Sequence, residues 1–262
     1  MTNRDQVASY YTLDNERELM FKHVWQDELH DVFADVAKYY DRANNVASLG
    51  LYNWLRKSFM SIIDVQPEQQ VLDVCAGTNA IGIALLKREP TLQVTAVDRS
   101  GEMQEEGQKL AKKQGLYIDS VIHDVHKLPF PDNHFDIVTL QYASRHLRIY
   151  DVIQEVRRVL KPGGYFYHSD MLRPANKIVE KLYYTYLRGT LTFTAKMFGS
   201  KSASLNCREY FIHALQMFYS AEEFSVMLRN TGFGDVSSKT VLGGAVGFHK
   251  ARVNMNTTTT NN

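Results

Sequence analysis

The stretch "VLDVCAGTNAIG", residues 71–82, decides the fold. β-Branched and apolar residues run into a carboxylate, then a turn of small residues, then apolar positions at helical spacing. This predicts a strand, a tight turn and a helix from about Ala80 to Arg88, with Ile81, Ala84 and Leu85 on one face. The turn holds a single glycine, Gly77, where a dinucleotide fold uses three.

Outward from this unit, strand and helix signals alternate. "QVTAVD" (93–98) reads as a second strand and "SGEMQEEGQKLAKKQG" (100–115) as a helix, with Ser100 as N-cap and Gly115 as its stop. "YIDSVIHD" (117–124) and "FDIVTLQYA" (135–143) are the third and fourth strands. Asp151 is expected to cap a helix carrying Val152, Ile153, Val156, Val159 and Leu160, after which "KPGG" turns the chain into a fifth strand, "YFYHSD" (165–170). Repeated β-α-β units imply a parallel sheet with helices on both faces. In "SAEEFSVMLRNTGF" (220–233), Ser220 and Glu223 form a capping box and Gly232 ends the helix. "DVSSKT" and "AVGFHKA" then give a terminal strand pair.

The flanks read differently. Residues 1–30 are expected to be an N-terminal helical extension, and Leu29, Val32, Phe33 and Val36 form a helical stripe just beyond it. The main domain is expected over 31–250, with an inserted helical cap over about 172–217 that is rich in Tyr, Phe, Leu and Met. Residues 251–262 have the composition of a disordered tail.

Composition excludes several classes. Lys+Arg 30 against Asp+Glu 29 leaves a formal net charge of +1, which offers no basic face for nucleic acid. Cys75 and Cys207 lie far apart without metal spacing, so neither a disulfide framework nor a metal site is expected. No apolar run approaches a membrane span, and the N-terminus carries no signal-peptide core. A soluble, cytoplasmic protein is the default expectation.

The single-glycine turn then points to a cofactor. Asp73 at the end of the first strand would repel a pyrophosphate, whereas S-adenosylmethionine carries an ammonium and a sulfonium and no phosphate. Gly77 would admit its methionine backbone. Asp98, ending the second strand, is expected to take the ribose hydroxyls, and Asp124, ending the third, the adenine amino group. All three acids fall beyond the carboxyl ends of strands, where such sheets bind ligands.

Together "VLDVCAGT", "VDRSGEM", "LPFPDNHFDIV", "SRHL" and "RRVLKPGG" resemble a class I methyltransferase of the ubiquinone/menaquinone biosynthesis C-methyltransferase family. "YDRANNVASLG" (40–50) and "TGFGDVSSKTVLGGAVGFHK" (231–250) make the resemblance more specific. It covers roughly residues 31–250. It implies a Rossmann-like α/β fold with a mostly parallel seven-stranded sheet, and methylation of a ring carbon on a prenylated hydroquinone or phenol. By position it puts cofactor contacts on Thr78, Asp98, Asp124, Val125 and Gln141, and the expected set extends to Ala76, Asn79, Arg99, Met103 and Tyr142. The chain departs from the family's usual residues at Asn79, where a glycine is common, at "YASRH" (142–146) and at His213. Asn tolerates the left-handed conformation, so the turn can survive.

An aromatic carbon attacks a methyl group only when an adjacent hydroxyl is ionised, and the ring must then lose a proton. Arg145 suits phenolate stabilisation, and His146 and His168 are the candidate bases, with Asp170 as an orienting partner. The bland alternatives are helix caps for Asp73 and Asp98, a surface ion pair for Arg145, hydrogen-bonded core histidines, and a small buried thiol for Cys75. His123, Asp124 and His126 make no metal set if strand neighbours alternate faces. O- or N-methylation of another small aromatic and a silent cofactor-binding subunit remain open, as do homodimer assembly and peripheral membrane contact.

Overall fold

The computed structural model describes residues 3–24, 37–197 and 202–255. Val71, Leu72, Asp73 and Val74 are all buried, as a central parallel strand requires. Gln70–Val74 forms β1, paired in parallel with β2 (Gln93–Asp98) on one side and β4 (Phe135–Gln141) on the other. With β3 (Asp119–Ile122), β5 (Leu160–Met171), β6 (Phe233–Val241) and β7 (Val246–Val253), the strands lie in the order β3-β2-β1-β4-β5-β7-β6. Only β7 runs antiparallel to its neighbours. The chain leaves β1 toward β3 and later resumes at β4 on the other side. That reversal opens a crevice at the carboxyl ends of β1 and β4.

The helices are α1 (Asn3–His23), α2 (Tyr40–Ala47), α3 (Leu51–Met60), α4 (Ala80–Arg88), α5 (Gly101–Lys113), α6 (Ile149–Val159), α7 (Lys177–Met197), α8 (Ser202–Gln216) and α9 (Ala221–Asn230). Side chains alternate across the sheet with period two. Leu72, Val74, Val138, Leu140 and Phe166 pack with Val152, Ile153 and Val156 of α6 and Phe224, Met227 and Leu228 of α9. Val71, Ile137, Tyr167 and Phe248 face the other way, toward Phe59 of α3 and Ile81 and Leu85 of α4.

Local signals held wherever the capping group lies within its own segment. Ser100 accepts from the Met103 amide at 3.3 Å, and Ser220 with Glu223 completes a capping box. Gly232 follows the last helical residues with φ +91°, the conformation that favours glycine at a helix end. Asp151 does not cap α6. That helix begins two residues earlier, and the Asp151 carboxylate instead takes Nε of Arg148 at 2.6 Å. The amide of Tyr150 donates to Asp14 of α1 at 2.9 Å, so the cap comes from a distant segment.

"KPGG" is not a separate turn. It lies within β5, where the register against β4 shifts between Phe135 and Ile137. β7 runs to Val253, beyond the boundary expected at residue 250. The inserted region is helical in α7 and α8. The stripe Leu29, Val32, Phe33 and Val36 and the tail from 256 onward lie outside the described residues.

Candidate active site

The β1–α4 turn is built from left-handed backbone. Cys75, Gly77 and Asn79 have φ of +54°, +52° and +59°. Asn79 adopts the conformation its side chain tolerates, and its Oδ1 accepts from Gln104 Nε2 at 2.9 Å. It is fully buried behind the turn and does not line the pocket. A Cβ on Gly77 would approach the Met103 methyl to 3.1 Å, so the close contact and the positive φ both call for glycine there.

Beside this turn lies a pocket at the carboxyl ends of β1, β2 and β4. Asp73, Ala76, Gly77, Thr78, Asp98, Arg99, Met103, Gln141 and Tyr142 line it, from the set expected to hold the cofactor. Asp98 accepts from the Gly77 amide at 2.8 Å and the Ser100 amide at 2.9 Å, which ties the two strand-end turns together. Carboxylate oxygens that each accept one amide keep lone pairs for further donors. Asp73 accepts from Thr139 Oγ1 at 2.6 Å, and burial raises its carboxyl to about 7. A cation held against Asp73 would favour its ionised form. One close-approach glycine and buried acids fit a cationic cofactor without phosphate. Cys75 also lines the pocket, its thiol pushed well above the ordinary range by burial and the nearby carboxylates, so it is a neutral group there.

Asp124 and Val125 do not line this pocket. β3 ends at Ile122, and the Asp124 side chain, 65 % exposed, turns back on its own segment. It accepts from the His126 amide at 2.9 Å and meets the His126 ring at 2.5 Å, which holds its carboxyl near 2. Val125 is a core residue. A short third strand followed by an Asx-type turn thus turns the Asp124 carboxylate onto its own segment, at a distance from which it still acts on Cys75 and Arg99 of the pocket.

On the other side, residues 142–147 follow β4 in a tight 3₁₀ turn. Tyr142 has φ +58°, and its ring stacks on Tyr52 with centroids 5.7 Å apart. Arg145 lies directly behind, with Nη1 2.5 Å from Asp170 Oδ1 and 3.0 Å from the Tyr142 carbonyl oxygen. Asp170 is fully buried and also accepts from the Ser144 amide, the Ser144 hydroxyl and the Met171 amide. Its role as partner to a histidine is therefore corrected. Asp170 orients Arg145 and reaches His168 only through Ser144.

His146 lines the pocket, with Nδ1 against the Tyr210 hydroxyl. Burial first, then Arg145 and Arg17, keep it well below the ordinary histidine range, so the ring is neutral. His168 is displaced from the site. It is fully buried, stacked on Phe224 at 4.2 Å, and bridges Ser144 Oγ at 2.6 Å and His249 at 3.1 Å. It does not line the pocket, so as a base it has no access to a ligand there. His213 is exposed on α8.

Sequence reasoning gave no role to Tyr40, Asp41 and Tyr52, which complete the pocket wall from α2 and α3. Arg56 holds Asp41 at 2.8 Å and lies 4.7 Å from the centre of the Tyr52 ring. The distinctive segment "YDRANNVASLG" was the available signal, and it carried no chemistry of its own. Tyr183, from α7, was missed as well. Among the described residues its buried hydroxyl has no hydrogen-bond partner, as is true of the Tyr142 hydroxyl and Arg145 Nε.

Residues 21–252 match the ubiE/COQ5 methyltransferase family. The chain is 32 % identical over 228 residues to the demethylmenaquinone methyltransferase of Staphylococcus aureus (strain JH9), covering 86 % of this chain and 92 % of that protein. Among solved structures it resembles a SAM dependent methyltransferase from Aquifex aeolicus (TM-score 0.53, 19 % identity, 77 % of this chain and 88 % of that one). It also resembles Haemonchus contortus phosphoethanolamine N-methyltransferase 2 in complex with S-adenosyl-L-methionine (TM-score 0.57, 15 % identity, 78 % and 53 % covered). These two likenesses concern the fold.

Proposed function

The chain belongs to the ubiE/COQ5 methyltransferase family and is an S-adenosylmethionine-dependent methyltransferase, and on that footing we propose that it methylates a ring carbon of a prenylated hydroquinone of the ubiquinone or menaquinone type. One observation carries the reading. Tyr142 and Tyr183 bury hydroxyls without partners among the described residues, near Arg145 and Asp170 and next to the cofactor pocket. An unpaired buried hydroxyl costs about 1–3 kcal/mol. A ring bearing oxygens would satisfy these groups, and the Tyr52–Tyr142 pair offers it an aromatic wall.

The bound cofactor supplies an electrophilic methyl group. Asp73 would hold the cationic end of that ligand, and Asp98 would orient its ribose. On the acceptor side, Arg145, fixed by Asp170, stabilises the ionised ring oxygen whose electrons make the neighbouring carbon nucleophilic. His146, uncharged and facing the pocket, receives the ring proton directly or through water once the new bond has formed. Holding donor and acceptor in line accounts for much of the remaining rate.

The similarity to a demethylmenaquinone methyltransferase supports a quinone substrate, and α7 supports a long tail. Its Ile178, Leu182 and Phe193 are 72 %, 67 % and 62 % exposed, interspersed with Lys177, Lys181 and Arg188. Such a face suits contact with an anionic membrane surface. Among the described residues no helix is long and apolar enough to cross a membrane.

The test uses purified protein, methyl-labelled S-adenosylmethionine and a reduced, demethylated prenyl hydroquinone. Mass spectrometry should find one added methyl, with fragmentation placing it on the ring. A methyl on oxygen, or no transfer, would refute the assignment.

A further inference from the structure

The N-terminal helix α1 takes no part in the pocket wall, yet it carries a fully buried ion pair. Asp14 and Arg17 are both fully buried, with Arg17 Nη1 2.9 Å from Asp14 Oδ1. Burying such a pair is costly, and apolar side chains would cover the same surface without that cost. The contacts of the two groups say what they do instead.

Arg17 Nη2 donates to the carbonyl oxygen of Arg145 at 2.7 Å. Its guanidinium also lies 5.1 Å from the centre of the Phe218 ring. The other oxygen of Asp14 accepts the Tyr150 amide at 2.9 Å, in the first turn of α6, whose own N-cap Arg148 offers no side-chain cap. One turn further along α1, Phe21 packs edge-on against Tyr210 at 5.1 Å, and Tyr210 meets Nδ1 of His146. Positions 14, 17 and 21 share one face of the helix. α1 therefore holds the turn that carries Tyr142, Arg145 and His146 at the Arg145 main chain and at its exit into α6, from more than a hundred residues away in sequence.

We propose that Arg17 and Asp14 are positioning residues for methyl transfer, and that α1 is the clamp holding the acceptor-side turn in its working conformation. The proposal rests on the methyl-transfer reading of the pocket. Arg17 fixes the Arg145 main chain, so the direction of the Arg145 side chain toward Asp170 follows from it. Asp14 fixes where α6 begins. Neither residue touches the β1–α4 turn that binds the cofactor, which separates their effect from cofactor binding.

The test compares Arg17→Met, Arg17→Lys and Asp14→Asn with the wild-type full chain. Calorimetric titration with S-adenosylhomocysteine counts folded sites and gives the dissociation constant, which should change less than about twofold. Turnover per titrated site should fall about tenfold or more in Arg17→Met, since small misplacements of catalytic groups cost rate steeply. Arg17→Lys, which keeps charge and length but holds one contact instead of several, should recover part of it. Hydrogen exchange should speed up at the amides of residues 144–150 and stay unchanged at 76–79. Wild-type turnover per site together with wild-type exchange at 144–150 would overturn the proposal and make α1 a passive cover. Should the wild-type protein fail to methylate any hydroquinone, the substrate reading falls, and the exchange comparison alone still decides whether α1 holds the turn. If Arg17→Met does not fold, Asp14→Asn carries the same measurements.

Discussion

Arg145 and Asp170 form a buried pair at 2.5 Å, and the carboxylate also fixes Ser144 through both its amide and its hydroxyl. The guanidinium is thus held by its neighbours before any substrate arrives, with Nη1 committed to Asp170 and the Tyr142 carbonyl. Preorganised charge of this kind is what a developing phenolate needs. Asp170→Asn should therefore do two things. It leaves a buried arginine uncompensated, which typically costs about 3–5 kcal/mol of stability. It should also abolish most turnover while sparing S-adenosylhomocysteine affinity, a split visible by thermal melts, calorimetry and rates on the same preparation. Full turnover in this variant would remove Arg145 from the chemistry.

A second expectation concerns pH. In the cofactor-free protein Asp73 titrates near 7, raised mainly by burial. The folded state binds this proton more tightly than the unfolded chain, so the group's contribution to stability is full at low pH and declines as pH rises toward 7. Binding of a cationic cofactor needs the ionised form. Affinity should rise by up to about tenfold per pH unit below 7 and level off above it, with a proton released on binding. Calorimetry in buffers of different ionisation enthalpy measures that proton. A pH-independent wild-type affinity would mean that Asp73 does not face the cation, and Asp73→Asn should flatten the dependence.

Asn79 offers a test of the turn. Its φ of +59° costs a residue with an ordinary side chain about 1–2 kcal/mol, and its Oδ1 holds Gln104. Asn79→Ala should lose both and weaken cofactor binding. Asn79→Gly regains the backbone freedom while losing the Gln104 bond, so it should bind the cofactor better than the alanine variant. Equal affinities in the two variants would show that the conformation of this residue does not shape the site.

These residues also show what could be read in advance. Alternating β and α signals, Ser100, the Ser220–Glu223 box and the acids ending β1 and β2 were legible because each depends on neighbours close in sequence. The surroundings of His168 and Asp124 were not legible because they are set by tertiary context. The side of β5 that His168 occupies packs on Phe224, and Asp124 follows a strand that stops two residues early. Asp14 capping α6 and Tyr40 and Tyr52 lining the pocket join segments far apart in the chain. No local pattern announces such contacts.

The helix α7 divides its apolar residues between two tasks, and substitutions should separate them. Leu187 is buried with Tyr184, Ile212 and Leu215, so Leu187→Ala should cost about 2–5 kcal/mol of stability and act alike on all substrates. Leu182 and Phe193 are exposed and support no core. Leu182→Ser with Phe193→Ser should leave the melting temperature nearly unchanged. An isoprenoid tail resting on them would gain about 25 cal/mol per Å² of apolar surface covered. The double variant should therefore raise the Michaelis constant for a long-tailed hydroquinone several-fold while leaving that for a tail-less ring analogue in place. It should also weaken sedimentation with vesicles containing anionic lipid, because Leu182 lies beside Lys181 on the same helix. If both substrates and vesicle binding are unaffected, the exposed face of α7 serves neither tail nor membrane, and support for a prenylated acceptor returns to the family relationship alone.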